Sequence, residues 1–206
     1  MFVRVSGCNL RCAWCDTPYA SWRPEGPILD IDTILAKVSD YRCKHIVLTG
    51  GEPMLFPEAA SLTRPWREQG RTITIETAGT VFQEVECDLL SISPKLRNSR
   101  PDDPTWSARH ERTRQNIEPL KRLIERYPCQ LKFVVNPEEG DDFDEISRLL
   151  DELPPVSSDR ILLMAEGTTT EILERRMRLL VEPCLQNGWR LSPRLHVHLF
   201  GNVRGT

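Results

Sequence analysis

No stretch of the 206-residue sequence is apolar over the roughly 18 residues that a bilayer-crossing helix requires, so no such helix is expected. The opening MFVRVSGC lacks the charged leader and long apolar stretch of a signal peptide. Neither charge dominates: 27 Lys+Arg against 30 Asp+Glu leave a formal net charge of −3. That balance removes the broad electrostatic argument for a nucleic-acid binder. Internal repeats and low-complexity tracts are absent. Histidine is scarce, with only His45, His110, His196 and His198. Cysteine is not scarce. There are seven, and an odd number argues against a fully paired disulfide framework. Crowded thiols without a secretory signal point to a reducing cytoplasm and a metal site. A composition of 39% hydrophobic and 28% charged residues is globular, and the length suits one domain over 1–206.

Short apolar or β-branched runs alternate with longer amphipathic stretches. Strands are predicted at Phe2–Ser6, His45–Thr49, Thr72–Thr77, Leu89–Ser93, Leu131–Val135 and Ile161–Met164, with a last one near Leu195–Leu199. Helices are predicted from Asp30 or Asp32 to about Tyr41, then over Pro57–Gln69, Thr113–Arg126, Asp141–Leu153 and Thr169–Asn187. Pro65 and Pro183 could kink or shorten two of these. The polar segment Leu96–Arg112 reads as a surface loop. Such alternation implies an α/β fold with a mostly parallel sheet. A full eight-unit barrel takes about 250 residues. An incomplete TIM-type barrel fits this chain better.

Three of the cysteines, Cys8, Cys12 and Cys15, form C-x3-C-x2-C within GCNLRCAWCDT. Three soft thiolates on one tight loop can hold three irons of a [4Fe–4S] cubane, leaving the fourth iron open. A structural zinc site normally wants four protein ligands, so a fourth would have to come from elsewhere. Buried inert thiols are the bland alternative, and a polar Asn- and Arg-bearing loop is a poor place for them. For Cys43, Cys87, Cys129 and Cys184, each in or beside a predicted core element, the bland reading is preferred. One strand–helix unit later, His45–Thr49 runs into Gly50-Gly51-Glu52-Pro53. Paired glycines at a strand end let backbone approach a ligand closely. Alone, the same four residues also describe an ordinary turn.

The cysteine spacing just after a first strand, with Trp14 inside it and GGEP following, resembles the radical S-adenosylmethionine (SAM) superfamily. The resemblance implies that the open iron is chelated by the amino and carboxylate groups of SAM. It also implies that one electron from the cluster breaks a sulfur–carbon bond to give a 5′-deoxyadenosyl radical. More narrowly, RVSGCNLRCAWCDTPYASW, LTGGEPML, IETAGT, ISPK and LFGNVRGT together are similar to the 7-carboxy-7-deazaguanine synthase family of the 7-deazapurine (queuosine) pathway. That similarity runs from Phe2 to Thr206. It implies a radical ring contraction of 6-carboxy-5,6,7,8-tetrahydropterin to 7-carboxy-7-deazaguanine and ammonia. SAM is regenerated, and Mg2+ assists. It further implies a cytoplasmic homodimer, an external electron donor such as flavodoxin, and no nucleic-acid or membrane partner.

The resemblance also assigns residues. Cys8, Cys12 and Cys15 bind the cluster. Trp14, Cys15 and Asp16 line the SAM adenosine, with Gly51, Ser93, Pro94, Lys95 and, less specifically, Met164 as further SAM contacts. Glu76 would bond the SAM ribose or head group; a charged strand terminus is the plainer reading. Thr17 resembles the magnesium ligand. Arg4, Thr49, His196 and the chain-end carboxylate of Thr206 would meet substrate. His198 alternates with His196, and either could equally be an ordinary core or surface histidine. Lys132 would be costly to bury unpaired, so it is expected either to reach a carboxylate in the barrel or to be solvated. The family usually carries an extra strand with a Gln-Gly-x-Gly-like substrate loop ahead of the first cysteine. Here seven residues precede Cys8, so that loop is expected to be missing. Two other classes compete: a radical SAM activase that installs a glycyl radical on a partner protein, and a non-catalytic iron–sulfur or zinc module.

Overall fold

A computed structural model describes residues 1–204. Seven strands form one parallel sheet: β1 (Phe2–Val5), β2 (His45–Gly50), β3 (Thr72–Thr77), β4 (Leu89–Ile92), β5 (Cys129–Val135), β6 (Ile161–Ala165) and β7 (Arg190–Leu191). Each strand pairs with its neighbours in sequence, in the order β1-β2-β3-β4-β5-β6-β7. The sheet is open, with β1 and β7 at its edges, the arrangement of a partial barrel. Helices α1 (Ile31–Ser39), α2 (Glu58–Glu68), α3 (Pro104–Arg114), α4 (Glu118–Arg126), α5 (Asp142–Glu152), α6 (Thr170–Asn187) and α7 (Leu195–Phe200) connect and follow the strands.

Strand alternation sorts side chains between two faces. Ile46, Leu48, Ile73, Ile75, Leu90, Ile92, Leu131, Phe133 and Leu163 join Leu62, Trp66, Leu123 and Leu173 of the helices in one core. The opposite face carries Arg4, Thr49, Thr74, Glu76, Ser91, Gln130, Lys132 and Met164. Several of these bond across strands: His45 Nε2 to Thr74 Oγ1 at 2.8 Å, and Gln130 Nε2 to Ser91 Oγ at 3.0 Å. The TITIET and QLKFVV segments therefore each contribute to an apolar layer and a polar row.

Six predicted strands are found, with ends shifted by a residue or two. The seventh is not where it was expected. Leu195–Leu199 lies in helix α7, and the last strand is the two-residue β7. Alternation in LHVHLF mimics a strand, yet Val197 is the one residue of α7 that is buried. His196 and His198 therefore do not share a strand face. Leu96–Arg112 is not a loop throughout. It holds a 3-10 turn at Arg97–Ser99 and most of α3. The Asp103 carboxylate caps α3 by accepting from the Thr105 and Trp106 amides, both at 3.0 Å, with Pro104 at the first position. The predicted helix Thr113–Arg126 is the end of α3 and a separate α4. Asp30, rather than Asp32, caps α1, accepting from Thr33 N at 2.7 Å. Helices α2 and α6 run through Pro65 and Pro183. Cys43 is exposed, against the expectation of an ordinary core thiol.

Candidate active site

Cys8, Cys12 and Cys15 lie on the loop leaving the C-terminal end of β1. The Gly-Gly-Glu-Pro turn after β2 holds this loop from beneath. Gly51 N donates to Val5 O at 3.0 Å, Glu52 N to Gly7 O at 2.8 Å, and Gly7 N to Ala20 O at 2.7 Å. A Cβ on Gly51 would stand 1.9 Å from Gly7 O, and one on Gly50, where φ is +125°, would stand 2.1 Å from Val5 O. Gly50 is thus required by the close passage of the end of β1, and Gly51 by that of the cysteine loop's own backbone. Glu52 is fully buried and accepts from Thr77 Oγ1 and Ala78 N, both at 2.7 Å, and from Met54 N at 3.0 Å. It ties the turn to the end of β3.

Burial raises the Cys8 thiol to about 11 and the Cys12 thiol to about 12; the neighbouring Cys15 adds to both shifts and Lys95 opposes them. Such thiols become thiolates only against concentrated positive charge, which the irons of a cubane supply. Among the described residues no three His, Cys, Asp or Glu side chains are grouped to hold a single ion. A [4Fe–4S] cubane makes a different demand, one thiolate at each of three corners. Three thiols on one loop are the donor set that such a group takes. His110 is closed as a fourth ligand, because both ring nitrogens are engaged: Nδ1 with Arg11 N at 3.2 Å and Nε2 with Ser99 Oγ at 2.9 Å.

Beside the loop, the polar face of the sheet forms a charged row. Thr49 Oγ1 donates to Glu76 Oε2 at 2.9 Å, and Lys132 Nζ to Glu76 Oε1 at 3.2 Å. Arg4 is in register with Thr49. Burial pushes the Glu76 carboxyl up, but Lys132, Thr49 and Arg4 outweigh it and hold the group below its ordinary value. Lys132 thus reaches a carboxylate in the barrel. His196 stands on α7 at the same mouth. Its imidazole is lowered by partial burial and by Arg194 and Arg4, against Asp16 and Glu76. Arg4, Thr49, Glu76, Asp16 and His196 are therefore brought together.

A second group forms on the far side of the loop. Trp14 Nε1 donates to Asn98 Oδ1 at 3.1 Å, and Lys95 Nζ lies 5.4 Å from the Trp14 ring centroid. Lys95 also donates to Ser93 Oγ at 2.9 Å, beside the buried Pro94. Met164 is half-buried on the polar face of β6. Thr17 Oγ1 lies 3.9 Å from Cys15 Sγ. Thr206 lies outside the described residues.

Sequence reasoning passed over Arg194 and Asn98. Arg194 is buried, ion-paired with Asp16 at 3.2 Å and donating to Gly167 O at 3.3 Å. Asn98 joins Trp14 to Val134 O at 3.0 Å and Asp142 Oδ2 at 2.8 Å. Neither sits in a pattern that would single it out.

An open parallel half-barrel with a three-cysteine loop after β1 and a glycine turn after β2 is the radical SAM arrangement, and the radical SAM superfamily model matches residues 2–150. A 7-carboxy-7-deazaguanine synthase from Rhodopirellula baltica is 42% identical over 210 residues, covering 100% of this chain and 80% of the relative. One from Halobacterium salinarum is 39% identical over 219 residues, covering 100% of this chain and 84% of the relative. The crystal structure of QueE from Escherichia coli aligns with a TM-score of 0.67 and 25% identity, over 94% of this chain and 84% of that one. The chain belongs to the 7-carboxy-7-deazaguanine synthase family of radical SAM enzymes. Among the described residues no helix is long and apolar enough to cross a membrane.

Proposed function

We infer that this enzyme carries out its family's reaction, converting 6-carboxy-5,6,7,8-tetrahydropterin to 7-carboxy-7-deazaguanine with release of ammonia. The observation that carries the reading is the charged row Arg4–Thr49–Glu76–Lys132 beside the cysteine loop. A small acid dense in ring N–H and oxo groups needs such an alternation of donors and acceptors. When bound to the cluster, SAM supplies the carbon radical that starts the rearrangement.

The protein's part is to bind and orient. Cys8, Cys12 and Cys15 would each hold one iron. Trp14, with Lys95 and Ser93 on its side of the loop, would receive the adenosine together with Asp16, and Gly51 and Met164 would be further SAM contacts. The Arg4 guanidinium offers a planar fork to a carboxylate or oxo group. Glu76, held ionised by Lys132, presents an acceptor to a ring N–H or a ribose hydroxyl. Thr49 fixes the rotamer of Glu76 while facing the same space. His196, on α7 beside Asp16, Arg4 and Glu76, would meet substrate at the mouth. Thr17 would offer its hydroxyl to Mg2+; a neutral ligand alone is weak for that cation, so substrate carboxylate and water complete the shell. A cytoplasmic homodimer reduced by flavodoxin is the setting this reading adopts. Activation of a partner protein by a glycyl radical fits less well, because the charged row suits a compact polar substrate better than a peptide backbone.

The test is anaerobic reconstitution to about four irons per chain, followed by dithionite, SAM and 6-carboxytetrahydropterin. A deazaguanine ultraviolet spectrum with released ammonia is the expected result. An iron-loaded enzyme that cleaves SAM but leaves the pterin unchanged sinks the reading. Arg4→Ala is expected to leave SAM affinity intact and to weaken pterin binding about tenfold, the worth of one charge-assisted hydrogen bond, measured by anaerobic equilibrium dialysis.

A further inference from the structure

Cys12 is the most buried of the three cluster cysteines, at 8% exposure. Its two flanking amides are not free. Arg11 N–H, on one side, donates to His110 Nδ1 at 3.2 Å. Ala13 N–H, on the other, donates to Ser99 O at 2.9 Å. Ser99 and His110 belong to the excursion between β4 and α4, about ninety residues further along the chain. They are bonded to each other through Ser99 Oγ and His110 Nε2 at 2.9 Å, and Ser99 Oγ donates onward to Leu96 O at 2.6 Å. Both are buried, Ser99 at 0% and His110 at 1% exposure.

The proton positions follow from the partners. A backbone N–H can only donate, so His110 Nδ1 accepts and the ring proton sits on Nε2. That N–H donates to Ser99 Oγ, whose own proton goes to Leu96 O. Each donor in the chain has one acceptor, and each element has one orientation. A polar network buried and fully satisfied in this way fixes geometry more than it adds stability.

We propose that the Ser99–His110 pair is a positioning device for Cys12: it grips the amides on both sides of that ligand and sets where its sulfur meets iron. Neither residue is a catalytic residue, since neither touches a reacting atom. The role is that of an outer-shell partner to a metal ligand, whose loss typically costs about 10–100-fold in metal affinity. The proposal rests on the cluster assignment of the cysteine loop.

Two substitutions at one position separate positioning from packing. His110→Leu fills the space and offers no acceptor. His110→Asn places an amide oxygen where Nδ1 stood, so the Arg11 N–H keeps its partner. Each protein is reconstituted anaerobically, and its iron release to a chelator is followed optically. Far-UV circular dichroism and thermal melting report the fold, and electron paramagnetic resonance of the reduced protein reports the cluster. His110→Leu is expected to release iron about tenfold faster than the parent or more, with a shifted resonance spectrum. His110→Asn is expected to stay close to the parent in both. If His110→Leu does not fold, Ser99→Ala takes its place, leaving the ring but removing the partner of Nε2; faster iron release is again expected. Parent-like iron release in His110→Leu or Ser99→Ala overturns the proposal, as does release from His110→Asn as fast as from His110→Leu. If the parent itself takes up no cluster, the cluster assignment and this proposal fall together, which is a different result from a loaded parent with indifferent variants.

Discussion

At the scale of single residues, the geometry of the cysteine loop depends on two positions outside it. Gly51 is the first. A methyl group there would meet Gly7 O at 1.9 Å and Ala20 O at 2.7 Å, both backbone atoms that cannot swing aside. Gly51→Ala is therefore expected to displace the cysteine loop and destabilise the chain by about 1–3 kcal/mol, the usual cost of overpacking. Urea unfolding and iron content should fall together. His110 is the second. Burial is the main cause that lowers its imidazole from 6.5 to about 4; Glu111 opposes it and Arg114 adds to it. Between those two values the unfolded chain binds a proton that the folded chain refuses, so stability falls as pH drops from about 6.5 to about 4. The ceiling of this loss is roughly 3 kcal/mol. His110→Asn lacks that proton-binding group. The stability gap between parent and His110→Asn in anaerobic urea unfolding should therefore narrow from pH 7 to pH 5. A constant gap would remove the titration from the account.

At the scale of elements, the polar face of the sheet depends on one carboxylate shared between strands. Glu76 on β3 takes a hydroxyl from β2 and an ammonium from β5. Its pKa is held down when folded, so the stabilisation is present above the ordinary carboxylate range and is lost as pH falls through the lowered value. Glu76 is partly exposed, and screening limits the pair to about 1 kcal/mol. Lys132→Met should lower the melting temperature at pH 7 and make little difference in acid, as measured by pH-dependent thermal unfolding. The sequence shows both members of this pair, because alternating strands such as TITIET put Glu76 on the polar face. It does not show which neighbour Lys132 reaches. Six strands are legible for the same reason, as short β-branched runs between turns. Helix α3 is not, because PTWSARHERTR segregates almost no apolar face, and only the Asp-Pro start marks it. Helix α7 is misread because its apolar residues alternate. The cysteine triad and the glycine turn are plain in the sequence, whereas Arg194, Asn98, Ser99 and His110 act through contacts across the fold that no local pattern records.

At the scale of the whole molecule, the sheet is assembled from neighbours in sequence, yet the site is not. The cysteine loop leaves β1 near the N-terminus, and its supports come from β2, from the stretch around Asn98 and Ser99, from α3, and through Arg194 from the start of α7. Radical chemistry demands such closure, since a reactive carbon centre must meet its substrate and not water.

That strand order also sets a timetable for synthesis. A chain whose sheet grows one neighbour at a time can fold as it emerges from the ribosome, N-terminal strands first. The thiols precede α3 by about ninety residues, while the His110 imidazole and Ser99 carbonyl that hold the amides flanking Cys12 are in place only when α3 has cleared the exit tunnel. Stalled nascent chains ending before α3 emerges should leave Cys12 open to alkylation, and chains long enough to expose α3 should begin to shield it. Iron insertion would then be timed by synthesis of α3 and not by synthesis of the cysteine loop.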